Sequence, residues 1–250
     1  MSGHSKWATI KRKKAKIDSA RGAEFAKFSR EIMVAAKLGG ADLSANFRLR
    51  TVVDKAKAAG LPNDNIKRAI EKASGSSSNE NYEEITYEGY GPSGVAVFIE
   101  ALTENRNRTA GDIRSYFNKY NGNLGENGCV SWIFKQEGQI IVKKDNVNQD
   151  ELFEAAINSG AQDFLEEEEE YRIITAPSDL QSVAEQLENS SYKLLSYEVT
   201  RTPQNSIEIT DAADAKNLLR LLDSIENHDD VQNVYSNFDM DSDLYEKLSV

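Results

Sequence analysis

The chain has 250 residues, 39% hydrophobic and 28% charged, with a formal net charge of −11. That composition excludes a wholly disordered chain and a membrane-embedded one: it can supply one to three packed cores, and no apolar run approaches the roughly 18–20 residues of a spanning helix. A single cysteine, Cys129, rules out an internal disulfide, and the only histidines, His4 and His228, lie far apart with no cysteine at zinc spacing, which sets aside metal sites and His-based triads.

The N-terminus is a basic arm, residues 1–21. Between Lys6 and Arg21 stand seven cations, Lys6, Lys11, Arg12, Lys13, Lys14, Lys16 and Arg21, against one carboxylate, Asp18. Only Trp7, Ile10 and Ile17 are large and apolar there, too little to bury for a fold of its own. Phosphates are the natural counter-ions of such an arm, and Trp7 suits stacking or wedging at bases. The plain alternative is a solvated terminus. Charge contrast argues against that alternative. Residues 1–75 hold 17 Lys and Arg against 7 Asp and Glu, a net of +10, and the remaining 175 hold 13 against 34, a net of −21. The arm's cations are followed by no apolar segment of the kind a secretory signal needs, so the expected location is the cytoplasm.

Three amphipathic helices are predicted over residues 22–75. Phe25, Phe28, Ile32 and Ala35 or Ala36 recur at three- and four-residue steps after Gly22 and stop at Gly39-Gly40. Asp42 or Ser44 is the expected cap of a second helix, with Phe47, Val52, Val53 and Ala56 inward and Gly60 closing it. A third follows Leu61-Pro62, with Ile66, Ala69, Ile70 and Ala73 on one face. Together they predict a small antiparallel bundle. Its outer faces carry Lys27, Arg30, Arg48, Arg50, Lys55, Lys57, Lys67 and Arg68, expected to form a continuous basic surface with the arm.

A Ser- and Gly-rich linker at 74–81 precedes a change of period from 3.6 to 2. Strands are predicted at 84–88, 95–102 and 130–134, with a helix near 110–121 opened by a Thr109/Asp112 capping box. Cys129, at the start of the last of these strands, reads as buried filler rather than nucleophile. From Gln139 the elements run strand, helix, strand, strand, helix, strand, the ferredoxin-like order, with the acidic run 166–170 at a solvated turn. A further strand–helix–strand ends the pattern near Phe238. The expected class is therefore α+β and multidomain: a three-helix domain (22–75) and two ferredoxin-like domains, one discontinuous (82–134 and 205–240) and one inserted in it (135–204). Two sequential domains are the alternative, and would leave a strand-poor fragment at each end.

Two motifs bear on chemistry. Gly89-Tyr90-Gly91-Pro92-Ser93-Gly94 matches GxGxxG, but these glycines lead into a strand rather than opening a helix, so a tight turn explains them better than a dinucleotide site. Arg106 and Arg108 precede a helix N-terminus, where backbone N–H groups already favour an anion; pairing with local carboxylates is the alternative. No Ser/His/Asp set, phosphate-binding Walker loop or HExxH stands in the sequence, so neither catalysis nor a cofactor is expected.

Gly3-His4-Ser5-Lys6-Trp7, Lys13-Lys14, 60–66 (GLPNDNI), 87–92 (YEGYGP), 103–109 (TENRNRT), 122–125 (GNLG), Val130-Ser131-Trp132 and 230–237 (DVQNVYSN) resemble, in this order, the YebC family. Phe47 stands where many relatives have Pro, and Arg12 where His is common. The resemblance implies a helical N-terminal domain followed by two α+β domains, one inserted in the other. It also implies a non-enzymatic regulator of gene expression. Family members are described as DNA-binding transcriptional regulators, and others, including a mitochondrial translational activator of a cytochrome oxidase subunit, act at the ribosome on difficult sequences such as proline runs. The expected partner is thus nucleic acid, DNA or ribosomal RNA, with the ribosome a further candidate. Lys6, Trp7, Lys11, Arg12, Lys13, Lys14, Lys16 and Arg21 would bind it, joined by Arg106 and Arg108. A rival reading is a protein-interaction module whose acidic domains bind a basic partner.

Overall fold

A computed structural model describes residues 21–74 and 81–248. Helix α1 (Arg21–Gly39) buries Ile32, Ala35 and Ala36 and ends where Gly40 takes a φ of +88°, a left-handed conformation that glycine alone adopts without a side-chain penalty. Helix α2 (Phe47–Ala58) is capped by neither Asp42 nor Ser44. Asn46 caps it: its side-chain oxygen accepts the Leu49 N–H at 3.0 Å, while its amide donates to the Ala35 and Gly40 carbonyls at 2.9 and 2.8 Å. One buried amide thereby satisfies the end of α1 and the start of α2, which a cap at Asp42 could not do; Asp42 instead accepts from the Ser44 N–H within the preceding turn. Helix α3 (Asn63–Ser74) follows Pro62 and closes the bundle core with Ile66 and Ala69.

Strands β1 (Glu83–Tyr90) and β2 (Ala96–Thr103) form an antiparallel hairpin in register from Glu83 opposite Thr103 to Tyr90 opposite Ala96. The glycine motif is its turn: the Gly91 N–H donates to the Val95 carbonyl at 2.8 Å, and Gly94 has a φ of +75°. Helix α4 (Arg106–Lys119) begins three residues before Thr109, capped by Asn105 in place of the expected Thr109/Asp112 box, because Thr109 is buried beneath the first turn. The predicted strand at 130–134 is absent. After the short β3 (Asn123–Leu124), which pairs with β1, the chain makes a 3-10 turn at Ser131–Ile133 and enters β4 (Phe134–Lys143). Val130, Ile133 and Phe134 pack together on Ala96 and Phe98, so this apolar run is buried through its side chains, and only Phe134 joins a ladder, as the first residue of β4.

Strand β4 then belongs to a second sheet. With α5 (Gln149–Asn158), β5 (Asp163–Glu166), β6 (Glu170–Thr175), α6 (Leu180–Asn189) and β7 (Leu194–Pro203), the spatial order is β5-β6-β4-β7, antiparallel throughout. That is the ferredoxin-like arrangement of fourth, first, third and second strands. Its core joins Ile140, Val142 and Ile173 to Leu152, Leu180, Val183 and Leu187. The chain returns through β8 (Ile207–Ile209), α7 (Ala212–Glu226), β9 (Val231–Ser236), β10 (Phe238–Met240) and α8 (Ser242–Leu248). Strand β9 pairs with β2, completing the first sheet in the order β3-β1-β2-β9, while β8 and β10 form a separate parallel pair. Helices α4 and α7 share one core with this sheet through Ile99, Ile113, Phe117, Leu218, Leu222 and Val234. The fold is α+β, with an N-terminal helical part and a two-part α+β region.

Phe47 departs from its expected place inside the bundle. Its ring stacks on Tyr197 of β7 at 5.5 Å, and the Tyr197 hydroxyl donates to Asp54 at 2.8 Å. Helix α2 thus lies against β7, an edge of the second sheet, where it contacts a strand that would otherwise offer an open ladder.

Candidate nucleic-acid interface

Lys6, Trp7, Lys11, Arg12, Lys13, Lys14 and Lys16 lie outside the described residues. Arg21 is the first residue of α1. The bundle cations expected to extend the arm's surface are divided. Lys27 donates to the Glu226 carbonyl, and Arg30 to the Asp229 carbonyl with Asp230 at 3.9 Å. Arg48 pairs with Glu84, Arg50 with Glu185 at 2.7 Å, and Lys55 with Glu198. All five reach into the acidic α+β region, so much of the bundle's charge ties the helical part to the rest and does not form one open basic face. Lys57, Lys67 and Arg68 remain exposed on α2 and α3.

Arg106 and Arg108 sit on the first turn of α4, with side chains 62% and 56% exposed. Arg106 pairs with Glu83 at 3.2 Å and Arg108 with Asp230 at 2.9 Å. Asp230 is the organising group here. Besides Arg108, its Oδ2 accepts from Thr109 at 2.7 Å and from Thr103 at 3.0 Å, and both threonines are fully buried. Burial pushes the Asp230 carboxyl upward, but hydrogen bonds from Thr109, Arg108 and Thr103 overcome that and hold it below the usual carboxylate range. Asn105 completes the turn: its N–H donates to Thr103 Oγ1 at 2.9 Å, and its side chain accepts the Arg108 N–H at 3.1 Å. Asp230 drew no role from sequence, since its partners Thr103, Arg108 and Thr109 lie more than 120 residues away; it stood there only as the first residue of the 230–237 family motif.

A hollow of about 560 Å³ opens beside this turn, lined by Arg30, Arg108, Glu104, Asp112, His228 and Asp230 among others. His228 Nε2 is 3.2 Å from Asp112, and its Nδ1 accepts the Asp230 N–H at 3.1 Å. Carboxylates outnumber guanidiniums around it, so a phosphate here would have to displace Asp230 from Arg30 or Arg108. Among the described residues no three His, Cys, Asp or Glu side chains converge as metal ligands, and no helix is long and apolar enough to cross a membrane.

Residues 5–76 match a family model described as the TACO1/YebC protein N-terminal domain, and residues 82–238 one described as the TACO1/YebC second and third domain. A "Probable transcriptional regulatory protein" of Desulfotalea psychrophila is 51% identical over 249 residues, spanning 100% of both chains. One of the same description from Geobacter sulfurreducens is 51% identical over 99% of this chain and 100% of its own. The crystal structure of a conserved hypothetical protein of Aquifex aeolicus superposes with a TM-score of 0.80 at 43% identity, covering 90% of this chain and 93% of that one.

Proposed function

The chain belongs to the TACO1/YebC family, and on that premise we propose that it is a non-enzymatic, cytoplasmic regulator of gene expression that binds nucleic acid through its basic arm. It acts as a DNA-binding transcriptional regulator, as a ribosome-associated factor that relieves stalling at sequences such as proline runs, or as both. Residues 1–21 supply the phosphate contacts, and Trp7 an aromatic face. Arg106 and Arg108 join them by exchanging Glu83 and Asp230 for phosphate oxygens. The working division is an arm (1–21), a helical domain (22–75), a discontinuous α+β domain (82–134 and 205–240) and an inserted one (135–204).

The observation that carries this reading is the division of positive charge. Lys27, Arg30, Arg48, Arg50 and Lys55 are held by the α+β region, whereas the arm brings seven cations with a single carboxylate. Crosslinking in cells, followed by sequencing of bound DNA and RNA together, tests it. The expected result is recovery of nucleic acid that disappears when residues 1–21 are deleted. Recovery unaffected by that deletion would remove the arm from the interface. A second reading, a module for basic protein partners, draws on Phe153 and Ile157, exposed together on α5 beside Asp150 and Glu154. It predicts protein partners that persist without the arm.

A further inference from the structure

We propose that Trp132 is a second stacking platform, presenting its indole face to an unpaired nucleobase. The proposal rests on the nucleic-acid reading above but concerns a part of the molecule that reading does not use.

Trp132 is 66% exposed, yet Val130, two residues before it, and Ile133, just after it, are buried in the cluster around Phe98. The turn that carries it is pinned from below. Glu88 of β1, itself 3% exposed, accepts the N–H groups of Gly128 at 2.8 Å, Val130 at 2.8 Å and Ser131 at 2.7 Å. Burial pushes this carboxyl upward, and the three backbone donors outweigh it and hold it below the usual range. The Tyr90 hydroxyl donates to the Cys129 carbonyl at 2.9 Å. Glycines let the loop lie flat on the strand: a Cβ on Gly89 would meet the Asn123 carbonyl at 2.6 Å, and one on Gly125 would meet Cys129 Sγ at 2.6 Å.

That scaffold fixes what Trp132 can offer. Its Nε1–H already donates to the Cys129 carbonyl at 3.0 Å, so a partner meets ring faces and no free donor. Burying an indole is strongly favourable, so holding it outward forgoes that gain. Nor is it the centre of an apolar patch. The other exposed large hydrophobics, Leu38, Phe153, Ile157, Leu195 and Val199, lie on α1, α5 and β7, and the exposed neighbours in sequence are Glu126, Asn127, Gly128, Lys135 and Gln136. A protein hot spot needs surrounding contacts that exclude water; a rigid π face amid polar groups suits a base, whose faces are free only when it is unpaired.

The test uses the full chain. Because the sequence has two tryptophans, a Trp7→Phe variant leaves Trp132 as the sole indole fluorophore. It is titrated with an end-labelled oligoadenylate RNA, single-stranded or annealed to its complement. Anisotropy of the label reports binding, and indole emission reports stacking. The single strand should bind and quench Trp132, whereas the duplex should bind without quenching. In the otherwise natural chain, Trp132→Ala and Trp132→Leu should each weaken single-strand binding about 5- to 150-fold. Trp132→Phe should restore most of the loss, and none should change the salt dependence. Single-strand binding without quenching, or a Leu variant equal to wild type, overturns the proposal and leaves the arm reading intact. Failure to bind either form, or binding of the duplex alone, overturns it too, and the former also counts against the arm.

Discussion

Replacing Asp230 should expose how much of the α4 turn depends on one carboxylate. Three donors converge on its Oδ2, two of them hydroxyls of fully buried threonines. In Asp230→Ala the Arg108 head can turn to solvent at little cost, as expected for a half-exposed ion pair. The hydroxyls have less freedom. Thr109 can still donate to the Asn105 carbonyl at 3.1 Å, and the two threonines lie 2.8 Å apart, so about one buried donor loses its best acceptor. An orphaned buried hydroxyl costs roughly 1–3 kcal/mol, and a hydrogen bond to a charged acceptor contributes about 1.5–3 kcal/mol, which together suggest a loss of about 3 kcal/mol. Asp230→Asn keeps an acceptor and should lose about half as much. Urea unfolding followed through Trp132 emission in the Trp7→Phe background reports the turn that packs on the first α+β sheet through Val130 and Ile133. The pH dependence follows from the depressed carboxyl. Its stabilisation is complete above the ordinary aspartate value of about 3.9 and is lost as pH falls through the folded-state value below it. The gap between wild type and Asp230→Asn should therefore be constant near neutrality and close in strong acid. An Ala variant as stable as wild type at pH 7, or a gap that persists unchanged in strong acid, would refute the reasoning.

Further outcomes follow from the same contacts. A double-mutant cycle on Phe47→Ala and Tyr197→Ala should show a coupling of about 0.5–1.5 kcal/mol, the worth of a stacked aromatic pair; strictly additive losses would mean that α2 does not hold β7 through these rings. A fragment of residues 135–204 should unfold cooperatively in urea, since its element order closes one core. A molten product would favour sequential domains.

The helices were legible because their apolar spacing survives folding: Ile32, Val52, Val53 and Ile66 face the core as their period predicts. Local polar choices were less so. Asp42 and Ser44 are sound caps in isolation, and only the nearness of the α1 carbonyls makes Asn46 better. The run 130–134 has strand composition, but the N–H groups of Val130 and Ser131 bond Glu88, more than 40 residues earlier, and a turn results. The same reason hid the fate of the basic bundle face: Lys27 meets Glu226, 199 residues away, and no local pattern announces such a pair. Trp132 lay inside an apolar run and drew no attention as a surface group. Its exposure follows from the Glu88 clamp, which is a tertiary fact.

The central claim is that the arm carries the nucleic-acid contacts, and a salt titration of binding tests it most directly. Each phosphate neutralised contributes about −0.9 to the slope of log K against log salt on duplex DNA, and about −0.7 on single strands. Wild type is compared with a variant in which Lys6, Lys11, Arg12, Lys13, Lys14, Lys16 and Arg21 are all serine, on duplex DNA and on ribosomal particles in parallel. If about half of the seven engage, the slope should flatten by on the order of 2–3 units on the physiological ligand. An unchanged slope on both would contradict the claim.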